Sequence, residues 1–284
     1  MTTCGCRTKA PVAEPTILDR IVERRRVDVR DAAAVVPRAA LERSAASAPR
    51  AISFTGRLRA AGPMALIAEI KRASPSKGDI APGMDAPAQS LRYAKAGAAG
   101  ISVLTEPTWF KGTLDDLAAV RAAVDTMGGN RPAILRKDFI IDEYQVVEAR
   151  AYGADALLLI VAALDDDTLA RLFRFTGELG MESLVEVDTV EGMQRAVALG
   201  APFIGINNRD LRSFTVDLRT TDTLATLAPR TALLAALSGI QQRADVERFA
   251  YAGAEAVLVG EALMLAGDPS AAVRELLGFA GSKS

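Results

Sequence analysis

The segment ALLLIVAALDDDTLARLFRFTGELGMESLVEV (156–187) contains two short apolar runs that flank a longer mixed stretch. The runs Ala156–Val161 and Ser183–Val187 have the length of buried strands, since a strand covered on both faces is a continuous apolar run of four to eight residues. Residues 165–180 between them have the length and the amphipathic pattern of a helix. The segment therefore predicts a strand, a helix and a second strand, which is the unit of a parallel sheet.

The same unit recurs along the chain from Leu66 onward, and several of its helices end in a glycine, such as Gly153 or Gly200, that suits a left-handed cap. Eight strands in this order predict the α/β class and a closed (β/α)8 TIM barrel. The alternative, an open doubly wound sheet, normally has fewer strands and often a GxGxxG turn, which is absent here. The predicted strands are Leu66–Ile70, Ile101–Leu104, Ala133–Lys137, Ala156–Val161, Ser183–Val187, Phe203–Asn207, Thr231–Ala235 and Ala256–Val259.

The 284-residue chain is predicted to form a single barrel domain in three parts. Residues 1–15 are rich in Gly, Thr and Pro and are expected to be a mobile tail, and residues 66–284 form the barrel. Residues 16–65 form a helical extension, in which Thr16–Ala34 reads as an amphipathic helix capped by Thr16, and Pro37–Ala48 as a second helix. Such helices would either cover the bottom of the barrel or fold over its mouth.

Composition excludes several classes of function. The net charge is -1, so no overall field attracts nucleic acid or an anionic membrane, and we expect neither partner. No apolar run reaches the roughly 18 residues of a membrane span, and the N-terminus lacks the apolar stretch of a signal peptide. We therefore expect a cytoplasmic protein that acts as a monomer, with an oligomer as the alternative.

The chain contains no histidine, which excludes Ser-His-Asp and Cys-His chemistry, imidazole bases and His-ligated metals. Its two cysteines, Cys4 and Cys6, lie in the predicted tail and make a poor metal site. No metal is therefore expected. Any acid and base catalysis must depend on Lys, Glu, Asp or Tyr.

Charged and polar residues interrupt four of the predicted strands where each strand ends. In a β/α barrel the carboxyl ends of the strands converge on one mouth, where catalytic groups lie. Alternation places Glu69 and Lys71 on one side of their strand and Glu186 on the inner face of its own. The alternative is that each charge is a solvated loop residue or part of a structural ion pair. The residues expected to meet at the mouth are Glu69, Lys71, Lys137, Glu186, Asn207 and Arg209.

The last two strands are followed by Ser238-Gly239 and Gly260-Glu261. Glycines at this place let backbone N–H groups approach an anion closely, and barrels often bind phosphate there. Lys71 would add a positive charge for the same ligand. The alternative reading of both pairs is an ordinary tight turn.

Taken together, these residues resemble the indole-3-glycerol-phosphate synthase family of tryptophan biosynthesis. The resemblance spans the chain from about Thr16 and implies a β/α barrel that closes the indole ring of 1-(2-carboxyphenylamino)-1-deoxyribulose 5-phosphate, releasing carbon dioxide and water without cofactor or metal. The matching segments are IAEIKRASPSKG (67–78), SVLTEPTWFKG (102–112), ILRKDFIIDEYQ (134–145), LVEV (184–187), GINNRDL (205–211), SGI (238–240) and VLVGEALM (257–264).

The resemblance also implies a role for each site residue. Lys137 would be the general acid that protonates the ketone, Glu186 the general base that also stabilises the cationic intermediate, and Glu69 with Lys71 would anchor substrate and assist later proton transfers. We expect desolvation or a neighbouring positive charge to lower the pKa of the lysine acid towards neutrality. Implied substrate contacts are Ser74, Ser102, Phe110, Phe139, Asn207, Arg209, Leu211 and Ser238, and implied phosphate contacts are Gly239, Gly260 and Glu261.

One position departs from the family pattern. The residue before Ser238-Gly239 is usually a glutamate, and here it is Leu237. The loss of this carboxylate predicts reduced turnover. Two alternatives follow from it: a diverged paralogue that accepts a modified anthranilate-derived substrate, and a barrel that binds phosphate without catalysis. An aldose-ketose isomerase of the same shape is a third, and it would not need Lys137 and Glu186 together.

Overall fold

The computed structural model describes residues 14–213 and 215–278. Eight parallel strands close into a barrel, because β1 pairs with β8 as well as with β2. This confirms the predicted (β/α)8 barrel. The barrel strands are β1 (Ala65–Ile70), β2 (Gly100–Leu104), β3 (Ala133–Lys137), β4 (Ala156–Ile160), β5 (Glu182–Val187), β6 (Phe203–Asn207), β7 (Leu233–Leu237) and β8 (Ala256–Val259).

Three helices precede the barrel, and the others lie between or after its strands. A two-stranded hairpin, Ala73–Ser74 with Gly78–Asp79, follows β1, and no helix of the described residues is long and apolar enough to cross a membrane. The helices are α1 (Ile17–Val35), α2 (Arg38–Ser47), α3 (Phe54–Ala60), α4 (Ala86–Ala96), α5 (Leu114–Asp125), α6 (Glu143–Ala151), α7 (Asp166–Glu178), α8 (Val190–Ala198), α9 (Arg219–Ala225), α10 (Arg243–Tyr251), α11 (Glu261–Met264) and α12 (Pro269–Leu277).

One predicted strand was misplaced. Thr231–Ala235 was expected, whereas β7 runs over Leu233–Leu237. Its register is set by β6, since Phe203 pairs with Leu233 and Asn207 with Leu237. The apolar run in this region has no alternation that could fix its ends from the sequence. The correction places Leu237 at the last position of a barrel strand, level with Asn207.

The core has two layers, as the alternation of strand residues requires. Side chains such as Ile67, Leu135 and Leu184 fill the inside of the barrel, while the intervening residues, such as Leu66 and Val185, pack under the outer helices. The inner layer ends below the mouth, where polar side chains replace apolar ones.

The helical extension covers both ends of the barrel, so the two arrangements left open by the sequence occur together. At the bottom, Phe54 of α3 is fully buried and stacks on Phe203 with ring centroids 5.6 Å apart. At the mouth, Leu18 and Ile21 of α1 pack in the same apolar cluster as Phe139. The Thr16 cap is confirmed, since its side chain accepts a hydrogen bond from the Asp19 N–H at 3.2 Å. The predicted tail lies outside the described residues up to position 13.

Candidate active site

A cavity of about 780 Å³ opens at the carboxyl ends of the barrel strands. Its lining brings together nearly all the residues that the sequence predicted for the site, from seven of the eight strand ends and from the loops that follow. The predicted residues that line it are Glu69, Lys71, Ser74, Phe110, Lys137, Phe139, Glu186, Asn207, Arg209, Leu211, Ser238, Gly239, Gly260 and Glu261.

Ser102 is the predicted substrate contact that does not line the cavity. Its residue is fully buried inside β2, and its hydroxyl has no hydrogen-bond partner in the structure. Ser102 is paired in register with Glu69 of the neighbouring strand. The burial of Ser102 in the barrel wall explains why this contact, which the resemblance implied, does not reach the cavity.

The centre of the cavity holds a lysine and a glutamate in direct contact. Lys137 Nζ lies 3.3 Å from Glu186 Oε2, and the Asn207 amide donates a hydrogen bond of 2.9 Å to Glu186 Oε1. The Asn207 side-chain oxygen in turn accepts from the Arg209 N–H at 3.0 Å. Both oxygens of the buried carboxylate are therefore fixed, and its position relative to Lys137 is set by two neighbouring strands.

A second lysine and glutamate pair lies at the end of β1. Lys71 Nζ is 3.0 Å from Glu69 Oε1, and both side chains are mostly buried. Gly260 of the neighbouring strand end packs against this carboxylate so closely that an added Cβ would lie 2.5 Å from Glu69 Oε1. Glycine is thus required at position 260 by the place that Glu69 occupies.

The direction of the Lys137 pKa shift is opposite to the sequence-based expectation. Burial alone lowers the pKa of Lys137, but the carboxylates of Glu186 and Glu69 outweigh it, and the net shift raises the pKa above the ordinary 10.5. The expected lowering was therefore wrong. Lys137 is therefore a charged ammonium at neutral pH, which has a proton to give but is a weaker acid than an ordinary lysine.

The apolar part of the lining could hold an aromatic ring. Phe110 and Phe139 face each other with ring centroids 6.1 Å apart and planes tilted by 38°. Leu211 packs partly buried against the same cluster. Two aromatic faces at this spacing favour a planar apolar group beside the Lys137 and Glu186 pair.

The opposite part of the lining could hold an anion. Ser238 and Gly239 both have left-handed backbone, with φ of 66° and 81°, and a Cβ on Gly239 would collide with Val216 and Leu218. Lys77, which the sequence analysis did not single out, lies 3.4 Å from Glu261 and adds a cation at the rim. No group of described His, Cys, Asp or Glu residues could hold a metal ion.

Leu237 closes one wall of the cavity and is 2% exposed. Its methyl group would lie 2.8 Å from a Cβ added at Gly205, so it fills the space beside Asn207. The side chain also belongs to the apolar interior of the barrel. The wall that the family pattern would make acidic is therefore apolar in this chain.

Two buried carboxylates at the cavity were missed by the sequence analysis: Asp138, which lines it, and Glu106, which does not. Asp138 accepts hydrogen bonds from Thr105, from Arg136 and from Arg25 of α1. Glu106 is likewise buried and receives backbone N–H groups. Asp138 directly follows β3 and Glu106 comes two residues after β2, and that position was the one available signal. Arg25 and Thr105, which contact Asp138, come from distant parts of the chain.

A mouth that combines lysine and glutamate pairs, an aromatic wall and a glycine-lined corner defines a class of β/α barrel with a polar cavity at the carboxyl ends of its strands. Comparison with known proteins narrows the class to one family. The family model "Indole-3-glycerol phosphate synthase" matches residues 18–276. The chain belongs to the indole-3-glycerol phosphate synthase family.

Its relatives differ in length. The chain is 51% identical to "Indole-3-glycerol phosphate synthase" of Roseiflexus sp. (strain RS-1), over 93% of this chain and 98% of that protein. It is also 56% identical to "Multifunctional tryptophan biosynthesis protein" of Schizosaccharomyces pombe, over 83% of this chain and 31% of that protein. The chain thus spans about a third of its multifunctional relatives and nearly all of the shorter ones.

Solved structures agree on the fold alone. A 3-hexulose-6-phosphate synthase from Salmonella typhimurium has a TM-score of 0.59 at 18% identity, covering 76% of this chain and 100% of that one. A thiamine phosphate pyrophosphorylase from Pyrococcus furiosus has a TM-score of 0.57 at 15% identity, covering 78% and 96%. At such identities the likeness carries no information on substrate.

Proposed function

We propose that the chain catalyses the ring closure that gives this family its name, converting 1-(2-carboxyphenylamino)-1-deoxyribulose 5-phosphate to indole-3-glycerol phosphate. The observation that carries the proposal is the contact of 3.3 Å between Lys137 and Glu186 inside a cavity that also offers an aromatic wall and an anion corner. The substrate has matching parts: an aromatic ring with a carboxylate, a ketone and a phosphate.

In the proposed reaction the ring carbon that bears the carboxylate attacks the ketone carbon. As this bond forms, the ketone oxygen takes a proton from Lys137, and carbon dioxide leaves to restore the ring. The new hydroxyl then leaves as water. The second hydrogen of this water is the proton that Glu186 removes from the adjacent carbon. One proton is consumed overall because a carboxylate departs as carbon dioxide, so Lys137 must regain its proton from solvent.

The charges of the site fit this sequence of steps. The ring becomes cationic when it attacks, and a fixed carboxylate nearby stabilises that transition state more than the ground state. Glu186 is held for this role by Asn207 and is 2% exposed. Lys137 stays charged because Glu186 and Glu69 raise its pKa against the effect of burial.

Binding is assigned to the periphery of the cavity. We assign the aromatic ring to the wall of Phe110, Phe139 and Leu211, and the substrate carboxylate to Arg209.

The phosphate is assigned to the backbone around Gly239 and Gly260-Glu261, with Lys71 as the nearby cation. Glu69 holds Lys71 in place, and Ser74 and Ser238 supply further polar contacts on either side of the same corner.

A direct assay tests the activity. The protein is incubated with the carboxyphenylamino-deoxyribulose phosphate, and indole fluorescence is followed. Loss of a general acid lowers turnover by about 10²- to 10⁴-fold, so Lys137→Ala is expected to fall by that amount. Lys95→Ala, an exposed lysine of α4, is the matched control and should keep wild-type turnover. Binding without turnover in the wild type would instead support a barrel that only binds phosphate.

One observation favours a second candidate. Leu237 makes an apolar wall where the family pattern has a carboxylate, which is compatible with a ring that carries an additional apolar substituent. This alternative predicts higher kcat/KM for a methyl-substituted anthranilate derivative than for the unsubstituted substrate. Equal or lower values would leave the unsubstituted compound as the substrate.

We also propose that the chain works as a single-domain monomer in the cytoplasm, without nucleic acid or membrane partners. The balanced charge of 34 basic and 35 acidic residues supports this proposal, because it gives polyanions no overall attraction. Sedimentation tests the monomer: one species near 29.9 kDa is expected. A species of twice that mass would refute it.

A further inference from the structure

The loop between β2 and α5, TEPTWFKGT (105–113), is organised around one buried carboxylate. Glu106 is 0% exposed, and its Oε1 accepts a hydrogen bond of 2.9 Å from the Thr108 N–H. Its Oε2 accepts from the N–H groups of Trp109 at 2.7 Å and Phe110 at 3.0 Å. Three consecutive backbone donors thus converge on a single side chain.

Glu106 forms no direct ion pair within the part of the chain that the structure describes, although it interacts electrostatically with Arg25 of α1. A buried carboxylate that lacks a direct cation partner costs several kcal/mol unless other donors satisfy it. Here the three backbone N–H groups do so, and hydrogen bonds to a charged acceptor are about twice as strong as neutral ones. The backbone of residues 108–110 is therefore held by the charge of Glu106.

The loop has little freedom to relax elsewhere. The Gly112 N–H donates to the Glu106 carbonyl at 2.9 Å, and a Cβ on Gly112 would overlap the backbone of Leu104. Lys111 has left-handed backbone with φ of 54° and pairs with Asp79 of the hairpin after β1. These contacts fix the carboxyl end of residues 108–110, which we call the caged segment, against the barrel and the hairpin.

The caged segment carries Phe110, one face of the aromatic wall. Phe110 lines the cavity, whereas Glu106 does not and cannot touch a ligand there. We propose that Glu106 is a positioning residue that sets the place of Phe110, and through it the affinity for the aromatic ring of the substrate. The kinetic part of this inference rests on the proposed function.

Glu106→Gln tests the proposal with little change in shape. The glutamine amide has one acceptor oxygen and an NH2 group in place of the second oxygen. The backbone N–H groups that donated to that second oxygen would therefore face another donor. One or two lost hydrogen bonds of this kind correspond to about a tenfold increase in KM, with kcat within about threefold because Lys137 and Glu186 are untouched. Glu182→Gln is the matched control, because Glu182 accepts from Ser53 and the Thr55 N–H at the far end of the barrel.

A cycle with Phe110→Ala separates positioning from general loss of structure. If Glu106 acts through Phe110, the effect of Glu106→Gln on KM should disappear in the Phe110→Ala background. Lys111→Ala, which removes the tie to Asp79 but leaves the carboxylate cage, should not reproduce the Glu106→Gln effect. Full additivity of the two variants would overturn the proposal.

Trp109 is the only tryptophan of the chain, and its fluorescence reports on the loop without substrate. Glu106→Gln is expected to make Trp109 more accessible to acrylamide, and an unchanged quenching constant would overturn the proposal. If the variant does not fold, hydrogen exchange of the backbone amides in the wild type still tests the proposal. The amides of residues 108–110 must be protected from exchange, because they donate to Glu106. Absence of turnover in the wild type would count against the proposed function alone, since both fluorescence and exchange remain readable.

Discussion

At the scale of single residues, the charge state of Lys137 depends on its neighbouring carboxylates. Glu186 and Glu69 raise the pKa of Lys137 although burial lowers it. A raised lysine pKa stabilises the folded state below pH 10.5, and this contribution is lost as the pH rises through the higher folded value. The pair therefore makes stability depend on pH only in strongly alkaline solution, and Lys137 is protonated over the neutral range.

Glu186→Gln removes the nearest of these carboxylates, so burial should dominate and lower the pKa of Lys137. The pKa is measured directly by NMR titration of the Lys137 Nζ, which does not require activity. Lys95 in the same spectrum serves as the internal control, since it is exposed on α4. An unchanged Lys137 titration in the variant would mean that Glu186 does not set this pKa.

Leu237 is the residue at which this chain departs from its family, and Leu237→Glu restores the missing carboxylate. The variant should gain about tenfold in kcat, as expected for one added electrostatic contact at a reacting centre, while losing stability because a charge is placed at a position 2% exposed. Turnover assays and urea unfolding measure the two effects. Leu237→Gln controls for polarity, and a wild type already as fast as the glutamate variant would show that this carboxylate is irrelevant here.

The residues that the sequence could identify are those whose direction follows from strand alternation. Glu69, Lys71 and Glu186 were placed on the correct face in this way, and all three line the cavity. Ser102 was assigned to the site by the resemblance alone, and in the structure it is fully buried and does not line the cavity. Glu106 and Asp138 were missed because nothing local marks a carboxylate as buried; only the folded chain brings Arg25 to within 3.0 Å of Asp138.

At the scale of elements, the sequence predicted which segments form strands more reliably than where they end. The ends of β7 depend on its pairing with β6. This pairing cannot be predicted from the sequence. Two of the three helices before the barrel, α1 and α2, were also predicted, whereas α3 was not. The place of these helices was not predicted, because an apolar helix face does not reveal what covers it. In the structure α3 closes the bottom and α1 packs at the mouth.

The role of α3 as the lower closure of the barrel gives a stability prediction. Phe54 is 0% exposed and stacks on Phe203 inside the barrel. Truncating a buried phenylalanine typically costs about 3–5 kcal/mol, so Phe54→Ala should lower the free energy of unfolding by that amount in urea. Tyr251→Ala removes an aromatic ring that is 97% exposed and should change it by less than about 0.5 kcal/mol. Similar losses in both variants would contradict a structural role for α3.

At the scale of the whole molecule, one buried ion pair joins the helical extension to the end of β3, which carries the proposed acid Lys137. Arg25 of α1 is 5% exposed and donates to Asp138 at 3.0 Å and to Asp28 at 2.9 Å. Asp138 directly follows Lys137, and its other oxygen accepts from the Phe139 N–H at 2.8 Å. The extension therefore contacts the residue that follows the proposed acid, and no described residue of the extension lines the cavity.

Arg25→Met tests whether this link supports the site. Removing one partner of a buried pair leaves the other charge uncompensated and costs about 3–5 kcal/mol, although Arg136 still contacts Asp138 at 3.1 Å and should keep the loss near the lower end. We expect the free energy of unfolding to fall by about 3 kcal/mol and kcat to fall with it, because the strand end that carries Lys137 loses an anchor. The neighbouring Arg24 pairs with Asp28 at 2.8 Å but is 53% exposed, so Arg24→Met should change stability by less than about 1 kcal/mol and leave kcat unchanged. If Arg25→Met lowers stability but not kcat, the extension holds the barrel together without supporting the catalytic strand.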